Sequence, residues 1–450
     1  MKAEQIKAVY FVGIGGIGMS AIARYFLSRD LVVAGYDRTP SDLTEQLRKE
    51  GALVHYEDNT DLIPAPCRDK ESTLVVFTPA IPTEHKELTF FREQGFEIQK
   101  RAQVLGTLTR SLKGLCVAGT HGKTTTSSMT AHLLHQSHVD CNAFLGGITK
   151  NYGTNYILSQ KSPFVVIEAD EFDRSFLRLK PAVSVINSID ADHLDIYGDK
   201  AHLVKSFNEF AQLTEKQLIV KEGLEIEGEG ILRFGFGRGN DYRANIVRTS
   251  NGITDFVIEA EGSCTEVRLP MAGRHNVLNA TAAFAAARQV GIATEDIAKA
   301  LATFKGVKRR FDIRVNNGKH CYIDDYAHHP EEIRACLQAV RDAFPNKRMT
   351  LVFQPHLYSR TRDFMDEFAQ ILSATDELVL MDIYPARELP IEGISSAALL
   401  EKVHLTEKKL CTKAELIALI DSEKPELLVT MGAGDIDRFV EPLEKLITTW

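Results

Sequence analysis

The chain contains 450 residues, of which 44% are hydrophobic and 25% are charged, and 53 basic against 61 acidic side chains leave a formal net charge of −8. This composition excludes an intrinsically disordered chain. The negative charge excludes a protein that coats nucleic acid or adheres to an anionic membrane through its overall field. We therefore expect no nucleic-acid partner and no membrane partner. At about 150 residues per domain, the length predicts about three domains.

The seven cysteines are scattered and include no C-x-x-C pair, a distribution typical of reduced thiols rather than of a zinc site or a disulfide framework. The apolar stretch near the N-terminus is too short and too rich in glycine for a signal peptide, and no apolar run approaches the ~18 residues of a membrane span. These features predict a cytoplasmic location. The sequence carries no indication of an oligomeric state.

Short apolar runs alternate with longer helical stretches along the chain, the pattern of mostly parallel sheets covered by helices. The predicted fold class is therefore α/β. The first elements predict one Rossmann-like unit, with strands over 8–12, 31–36 and 74–77 and helices near 20–29 and 41–50. We place the end of this unit near residue 108.

A second unit begins with an apolar strand over 115–118, and further strands are predicted over 164–167 and 183–187. The short, Gly-punctuated segments of 215–270 favour antiparallel strands at the edge of the sheet, and helix is predicted over 275–303. A third unit follows a basic turn, with strands predicted over 320–324, 349–353, 377–382 and 427–431. The predicted domains are residues 1–108, 109–312 and 313–450.

A glycine-rich loop joins the first predicted strand to the first predicted helix. The run Gly13-Ile14-Gly15-Gly16-Ile17-Gly18 contains G-x-G-x-x-G, and Asp37 closes the next strand. Glycines here let backbone N–H groups approach a pyrophosphate, and a carboxylate at this spacing can accept hydrogen bonds from ribose hydroxyls. The loop therefore predicts a nucleotide diphosphate site, for which NAD is one candidate ligand. The alternative is a merely structural turn.

A second phosphate-binding loop is predicted in the middle of the chain. The run Gly119-Thr120-His121-Gly122-Lys123-Thr124-Thr125-Thr126 follows a buried strand and opens a helix. Backbone N–H groups cradle phosphates in such a loop, Lys123 can reach the transferring phosphoryl group, and the Thr124 hydroxyl suits Mg²⁺. The spacing is shorter than in the common P-loop, whose first glycine would fall at Val117. A threonine-rich helix cap is the alternative, but it leaves Gly122 and Lys123 unexplained.

Two clusters of carboxylates follow the next two strands of the second unit. Residues 168–173 read EADEFD, and residues 188–195 read SIDADHLD. The carboxyl ends of parallel strands meet at one edge of a sheet, where open α/β folds build their sites. A solvated charge run is the alternative for either cluster alone. Both together, beside a phosphate loop, favour a metal and phosphate site.

Several segments of the chain resemble the Mur ligases, the ATP-dependent amino-acid ligases of peptidoglycan precursor synthesis. They are GIGGIGMS at 13–20, TPAIP at 78–82, GTHGKTTT at 119–126, EADE at 168–171, DADHLD at 190–195, GRHNVLNA at 273–280, DDYAHHP at 324–330 and FQPHLYSRTRD at 353–363. The resemblance implies an N-terminal Rossmann-like domain for a UDP-sugar and a central P-loop ATPase-type domain with a mostly parallel sheet. It also implies a C-terminal Rossmann-like domain that brings the amino acid.

The same resemblance implies roles for individual residues. The implied UDP-sugar site comprises Gly13, Ile14, Gly15, Gly16, Ile17, Gly18, Asp37, Thr78 and Arg101. The implied ATP site comprises Gly119, Thr120, His121, Gly122, Lys123, Thr124, Thr125, His275, Asn276, Arg310 and Asp325. The positions that match the family's Mg²⁺ ligands are Thr124, Glu168 and His193. Arg310 lies just before the third predicted domain, and Asp325 lies within it. Because both would contact ATP, closure of the third domain onto the ATP site is implied as a condition of catalysis.

The implied reaction passes the γ-phosphoryl group of ATP to the lactyl carboxylate of UDP-N-acetylmuramate, and the amine of L-alanine then attacks the acyl phosphate. Mg²⁺ is the implied cofactor and ATP a co-substrate. The implied catalytic residues are Lys123, His193, His356 and Arg360, with Arg360 pairing with the carboxylate of L-alanine. His328 is a further candidate, although a histidine that caps the adjacent helix explains it equally well.

Two positions depart from the family pattern. Leu357 stands where many of the family's alanine-adding members carry arginine, and Phe172 stands where several other members carry serine. The main alternative function is muropeptide recycling, in which a ligase adds a tripeptide to the same UDP-sugar. An NAD-dependent oxidoreductase has no use for Lys123 and the carboxylate clusters. A catalytically silent nucleotide-binding regulator would not need Arg360.

Overall fold

The computed structural model describes residues 5–78, 81–82, 84–190, 197, 199–386 and 388–450. These residues form an α/β protein with three sheets, as the sequence predicted. Two compact units are present: Met1–Arg243, Glu259–Thr265 and Asn279–Leu301 form the first, and Ala244–Ile258, Glu266–Leu278 and Ala302–Trp450 form the second. Within the described part of the chain, no helix has both the length and the apolar character needed to span a membrane.

The N-terminal sheet belongs to the first unit and has five parallel strands in the order β3-β2-β1-β4-β5. Its strands are β1 (Ala8–Val12), β2 (Val32–Tyr36), β3 (Leu53–His55), β4 (Thr73–Phe77) and β5 (Glu97–Lys100), and its helices are α1 (Ile17–Leu27), α2 (Asp42–Lys49), α3 (Lys86–Glu93) and α4 (Arg101–Ser111). All five residues of β1 are buried, because this central strand has a neighbour on each side. The strand order reverses between β1 and β4, the place where open parallel sheets form a ligand crevice.

The central region carries strands β6 (Lys113–Ala118), β7 (Asn142–Thr149), β8 (Thr154–Ile157), β9 (Phe164–Glu168), β10 (Pro181–Ile186), β11 (Gln217–Lys221), β12 (Leu232–Gly235), β13 (Tyr242–Ser250), β14 (Ile253–Ala260) and β15 (Ser263–Leu269). Its helices are α5 (Lys123–His135), α6 (Lys200–Gln212), α7 (Arg274–Arg288) and α8 (Thr294–Ala302). In the first unit, β6 lies between β9 and β10 and is parallel to both. The loops that follow these three strands therefore emerge at the same edge of the sheet.

Two predictions for this region are wrong in detail. Strands β11 and β12 pair in parallel with their neighbours and are not antiparallel. The single helix predicted over 275–303 is interrupted between Arg288 and Thr294, where Gly291 adopts a positive φ of 88°. Short strands punctuated by glycine look like hairpins, since the sequence pattern does not report strand direction.

The third sheet belongs to the second unit and has six strands in the order β16-β17-β21-β18-β19-β20. Its strands are β16 (Asp312–Asn316), β17 (Cys321–Asp325), β18 (Met349–Phe353), β19 (Glu377–Met381), β20 (Lys408–Cys411) and β21 (Leu427–Met431). The helices are α9 (Pro330–Ala343), α10 (Tyr358–Asp363), α11 (Met365–Leu372), α12 (Ser396–Lys402), α13 (Leu416–Glu423) and α14 (Val440–Thr448). Only β16 is antiparallel among the paired strands of this sheet in the described chain.

Candidate active site

The N-terminal glycine loop wraps closely around the ends of β1 and β2. Gly13 has a φ of 93°, and its N–H group donates to the Tyr36 carbonyl at 2.8 Å. The N–H group of Gly15 donates to Asp37 Oδ2 at 2.7 Å. A Cβ atom on Gly15 would lie 2.8 Å from that same oxygen, so a larger residue would displace the carboxylate. The predicted loop and its predicted acidic partner are therefore in direct contact.

A cavity of about 1050 Å³ lies at the edge of the N-terminal sheet within the first unit. The glycine loop, Asp37, Thr78 and Arg101 line it, and so do Gly146, Glu168 and Asp170 from the central region. Residues predicted for the UDP-sugar and a residue predicted for Mg²⁺ thus face one space. A cavity of this size can hold a nucleotide-sized ligand.

Arg101 contributes to both sides of this cavity. Its Nη1 atom would be 2.7 Å from a Cβ atom on Gly18, so the guanidinium packs directly over the glycine loop. Its Nη2 atom lies 4.0 Å from Asp170 Oδ2. The Asn155 side chain donates to the Ile17 carbonyl and ties the start of α1 to β8. The two contacts of Arg101 place its positive charge beside the loop that is predicted to bind a diphosphate.

The central phosphate loop is held by the segment that follows β10. Thr120 Oγ1 lies 3.0 Å from Ser188 Oγ, and the N–H group of His121 donates to Ser188 Oγ at 2.7 Å. Gly122 has a φ of 79°, and a Cβ atom there would lie 2.5 Å from Asn279 Oδ1. The loop therefore has a defined shape that depends on glycine at this position.

Lys123 forms a buried ion pair with Glu171. Its Nζ atom donates to both carboxylate oxygens of Glu171 at 2.8 Å and to the Gly119 carbonyl at 2.7 Å. Burial alone would lower the pKa of Lys123, but the carboxylates of Glu171, Asp170 and Glu168 outweigh it and raise the pKa. Lys123 is therefore charged, and its three N–H donors are engaged. A phosphate that binds Lys123 must replace one of these acceptors.

Thr124 and Glu168 present a pair of oxygen ligands at the edge of the cavity. The Thr124 hydroxyl donates to Glu168 Oε1 at 3.1 Å, and Glu168 Oε2 accepts the N–H group of Gly146 at 3.0 Å. A hydroxyl and a carboxylate are hard oxygen donors, so these residues fit a Mg²⁺ ion. The third predicted ligand, His193, lies outside the described residues.

In the second unit, Asp325 organises a tight turn beside Arg310. Asp325 Oδ2 accepts the N–H group of Phe311 at 2.6 Å, and Oδ1 accepts the N–H group of Ala327 at 2.8 Å. Burial raises the pKa of Asp325, while the charge of Arg310 opposes the shift. Phe311 has a φ of 46°. The carboxylate therefore supports a strained backbone next to the cation.

Two residues of the predicted ATP site, His275 and Asn276, lie in the first turn of α7 in the same unit. Asn276 is buried, and its Nδ2 atom donates to the Ala272 carbonyl at 2.7 Å. Burial, with a contribution from the charge of Arg310, lowers the pKa of His275 to about 4. The imidazole of His275 is therefore neutral at neutral pH and can stack or hydrogen-bond without carrying charge.

His356 and Arg360 are neighbours at the carboxyl end of β18. Arg360 Nη1 lies 3.5 Å from His356 Nδ1, and the His356 ring stacks on Tyr384 with centroids 5.7 Å apart. Burial lowers the pKa of His356 to about 4, and His328 and Arg360 add to the shift. The ring centroid of His328 lies 5.9 Å from that of His356. A neutral imidazole and a guanidinium thus occupy one patch, which suits a ligand with a carboxylate.

The residue between His356 and α10 has an unusual backbone. Leu357 has a φ of 72°, and its N–H group donates to the Tyr384 carbonyl at 2.9 Å. A residue other than glycine in this region is strained by ~1 kcal/mol or more. The strained residue is the one at which leucine replaces the arginine that is common in the family. Residue type alone gave no signal of this strain.

Two further residues of the candidate site had no individual role predicted from sequence. Glu171 was recognisable only as a member of the EADEFD cluster, and in the structure it immediately precedes the 3₁₀ helix Phe172–Arg178. Ser188 was one polar residue among several after β10. The signal for both was their position at a strand end, which identifies an edge of the sheet but no partner.

The chain matches three parts of one protein family in order along its length. Residues 8–113 match the "Mur ligase family, catalytic domain", residues 117–287 the "Mur ligase middle domain", and residues 309–434 the "Mur ligase, glutamate ligase domain". The matches cover most of the chain, and full-length relatives share about half of its residues. The chain therefore belongs to the Mur ligase family, and its fold has that family's three-domain architecture.

The relatives include the UDP-N-acetylmuramate--L-alanine ligase of Phocaeicola vulgatus, which is 51% identical over 450 residues and covers 98% of each chain. That of Cytophaga hutchinsonii is 50% identical, over 99% of this chain and 98% of the relative. Among solved structures, the UDP-N-acetylmuramate-alanine ligase MurC of Thermotoga maritima matches with a TM-score of 0.83 and 29% identity, over 98% of this chain and 100% of that one. A murein peptide ligase from Psychrobacter arcticus shares the fold, with a TM-score of 0.70 and 20% identity over 98% of each chain.

Proposed function

We propose that this chain is an ATP-dependent ligase that joins L-alanine to the lactyl carboxylate of UDP-N-acetylmuramate in peptidoglycan precursor synthesis. The observation that carries the proposal is the cavity of about 1050 Å³, which the glycine loop and Glu168 line together. A sugar nucleotide whose diphosphate lies on the loop can extend its carboxylate toward the Thr124–Glu168 pair. The relatives that are about half identical over the full chain carry this activity in their names.

Phosphoryl transfer is the first step that these residues support. The γ-phosphoryl group of ATP passes to a carboxylate oxygen, which gives an acyl phosphate and ADP. Lys123 moves from Glu171 toward the phosphate and neutralises the charge that develops there. Thr124, Glu168 and His193 are the proposed Mg²⁺ ligands, and Mg²⁺ would add positive charge at the transferring group. Gly119, Thr120, His121, Gly122 and Thr125 complete the proposed phosphate cradle.

Amide formation is the second step. The amine of L-alanine attacks the carbonyl carbon of the acyl phosphate, and phosphate leaves with one oxygen of the original carboxylate. Arg360 is proposed to pair with the alanine carboxylate. The neutral His356, which lies beside Arg360, is proposed to help position L-alanine. His275, Asn276, Arg310 and Asp325 are proposed to contact ATP. The acyl phosphate is required because a free carboxylate is a poor electrophile.

The division of labour follows the predicted domains. We assign UDP-sugar binding to residues 1–108, with Asp37, Thr78 and Arg101 beside the glycine loop, ATP binding to 109–312, and amino-acid binding to 313–450.

The seven cysteines are all free thiols, and six of them are buried. This chemistry suits the reducing cytoplasm, where we place the reaction.

Phosphate release with a panel of amino-acid substrates tests the proposal. The reaction contains UDP-N-acetylmuramate, ATP and Mg²⁺ with L-alanine, glycine, L-serine or the recycling tripeptide. We expect phosphate release to depend on both the UDP-sugar and the amino acid, with the highest kcat/KM for L-alanine. Preference for the tripeptide would replace the proposal by the recycling function, and phosphate release that needs no UDP-sugar would overturn both.

A further inference from the structure

A second cluster of metal-ligating side chains lies in the N-terminal sheet. Asp58 follows β3, His85 precedes α3, and Glu87 lies in the first turn of α3. One ligand atom from each of the three residues lies within 4.8 Å of the other two. None of these residues is among those proposed to bind Mg²⁺ or ATP. The cluster therefore shares no residue with the Thr124–Glu168 pair, although Asp58 and His85 line the same cavity as Glu168.

The two carboxylates of this cluster are held in place by neighbouring donors. Asp58 Oδ2 accepts the N–H group of Lys86 at 2.9 Å, and Oδ1 accepts that of Glu87 at 3.1 Å. Glu87 is fully buried, and its Oε2 atom accepts the Tyr10 hydroxyl at 2.7 Å. Each of the two carboxyl groups has further oxygen lone pairs that these hydrogen bonds do not occupy.

The ring of His85 packs edge-on against Tyr36 with centroids 4.5 Å apart, but this contact does not satisfy its nitrogens. His85 is only 6% exposed, and neither of its ring nitrogens has a hydrogen-bond partner among the described residues. Its Nδ1 atom lies 3.1 Å from Asp58 Oδ1, so the imidazole is aimed into the cluster. Buried polar nitrogens normally have a partner, because burial removes their hydrogen bonds to water.

We propose that Asp58, His85 and Glu87 bind a divalent transition-metal ion of the Zn²⁺ type. One imidazole nitrogen and two carboxylate oxygens are a donor set for Zn²⁺ or its neighbours, whereas Mg²⁺ and Ca²⁺ prefer oxygen alone. Ligands of tetrahedral Zn²⁺ lie about 3.4 Å apart, so the distances between the three ligand atoms, which are at most 4.8 Å, need to shorten by about 1.4 Å at most. A helix cap accounts for Asp58 but leaves both ring nitrogens of His85 without a hydrogen bond in the described part of the chain.

The bound ion would stiffen one wall of the large cavity. Asp58 and His85 line that cavity, and the metal would join the segment after β3 to the start of α3. The expected consequence is a protein stabilised by Zn²⁺ at a site that Mg²⁺ does not occupy.

Binding of the metal alone tests this proposal. Zn²⁺ is titrated calorimetrically into the intact protein in buffer with millimolar Mg²⁺, and Co²⁺ is added separately to record its visible absorption. Thermal unfolding is then followed with and without Zn²⁺. We compare the unmodified protein with His85→Gln and with Asp58→Asn, which keeps an oxygen for the N–H group of Lys86.

His202→Gln is the matched control. His202 Nδ1 also lies close to an aspartate, 2.9 Å from Asp199 Oδ1, but both side chains are 59% exposed. We expect Zn²⁺ affinity to fall by ~100-fold or more in His85→Gln and Asp58→Asn, with loss of the Zn²⁺-dependent rise in Tm, and no change in His202→Gln.

Equal Zn²⁺ affinity in the unmodified protein and the Asp58→Asn variant would overturn the proposal. An unmodified protein whose Tm does not respond to Zn²⁺ when Mg²⁺ is present would also overturn it, and this outcome can be observed even if His85→Gln does not fold.

Discussion

Lys123 and Glu171 form the pair around which the candidate site is built. Glu171 is fully buried and the Lys123 side chain is 13% exposed, so each charge depends on the other for compensation. The ammonium also donates to the Gly119 carbonyl at 2.7 Å, within the loop that is proposed to hold the phosphates. The free protein thus keeps its principal cation compensated until a nucleotide arrives.

Lys123→Ala should abolish ligation while leaving UDP-N-acetylmuramate binding intact. Lys123 is assigned to phosphoryl transfer, whereas the glycine loop is assigned to the UDP-sugar, so we expect kcat to fall by ~1,000-fold or more. Phosphate release measures the first quantity and calorimetric titration of the UDP-sugar the second. Lys180→Ala is the matched control, because Lys180 pairs with Glu215 at 2.8 Å on the surface. Equal loss of sugar binding and of ligation would contradict the assignment.

Glu171→Gln should destabilise the protein in a way that nucleotide reverses. The substitution leaves the Lys123 charge without its carboxylate, which costs ~3 kcal/mol in comparable buried pairs. A non-hydrolysable ATP analogue with Mg²⁺ supplies a replacement anion, so it should raise the Tm of the variant more than that of the unmodified protein. Thermal unfolding with and without the analogue gives both values. A smaller rise in the variant would show that the phosphate does not take over from Glu171.

His356 contributes a defined part of the pH dependence of stability. Its pKa is about 4 in the folded chain against an ordinary value of 6.5. Between these values the unfolded chain binds a proton that the folded chain does not, so stability falls as the pH drops through this window.

His356→Gln removes that proton linkage. Between about pH 7 and about pH 5, the Tm of the variant should therefore fall less than that of the unmodified protein. Thermal unfolding across the window measures the difference, with the exposed His202→Gln as control. Parallel curves for His356→Gln and the unmodified protein would contradict a neutral, buried His356.

At the level of elements, the sheet strands were predicted best. Strands β1, β18 and β21 have the predicted bounds, because each is a short, fully buried and mostly apolar run that begins directly after a charged residue. The antiparallel pairing predicted for β11 and β12 was wrong, because the pattern of apolar residues indicates which residues are buried and not how the strands pair. The loop of residues 222–231 connects these two parallel strands without a helix, which the pattern of alternating strand and helix does not anticipate.

The start of α5 depends on a glycine whose conformation can be tested. Gly122→Ala should lower stability by ~1 kcal/mol from the positive φ alone, and the clash with Asn279 should add to this and weaken ATP binding. Gly153→Ala is the matched control, because Gly153 has a φ of 68° with no atom within 4 Å of the added Cβ. The difference in Tm between the variants isolates the clash. Identical effects of both substitutions on Tm and on ATP affinity would mean that Asn279 does not constrain the loop.

For the whole molecule, motifs predicted the fold class and the family, and geometry supplied the connections between motifs. The sequence placed the glycine loop, the phosphate loop and Glu168 in separate segments. Only the structure of the first unit places the glycine loop and Glu168 around one cavity. The backbone of Leu357 and the partner of Lys123 depend on tertiary packing, which residue type and spacing do not encode locally. The net charge of −8 is compatible with anionic ligands because local cations and N–H groups line the loops.

The transfer of oxygen from substrate to phosphate tests the central claim most directly. UDP-N-acetylmuramate labelled with oxygen-18 in its lactyl carboxylate is converted with ATP and L-alanine, and the released phosphate is analysed by mass spectrometry. An acyl phosphate requires that one carboxylate oxygen leaves with the phosphate, so we predict one labelled oxygen in each phosphate formed. Unlabelled phosphate formed together with the amide product would contradict phosphoryl transfer to the carboxylate and with it the proposed roles of Lys123, Thr124 and Glu168.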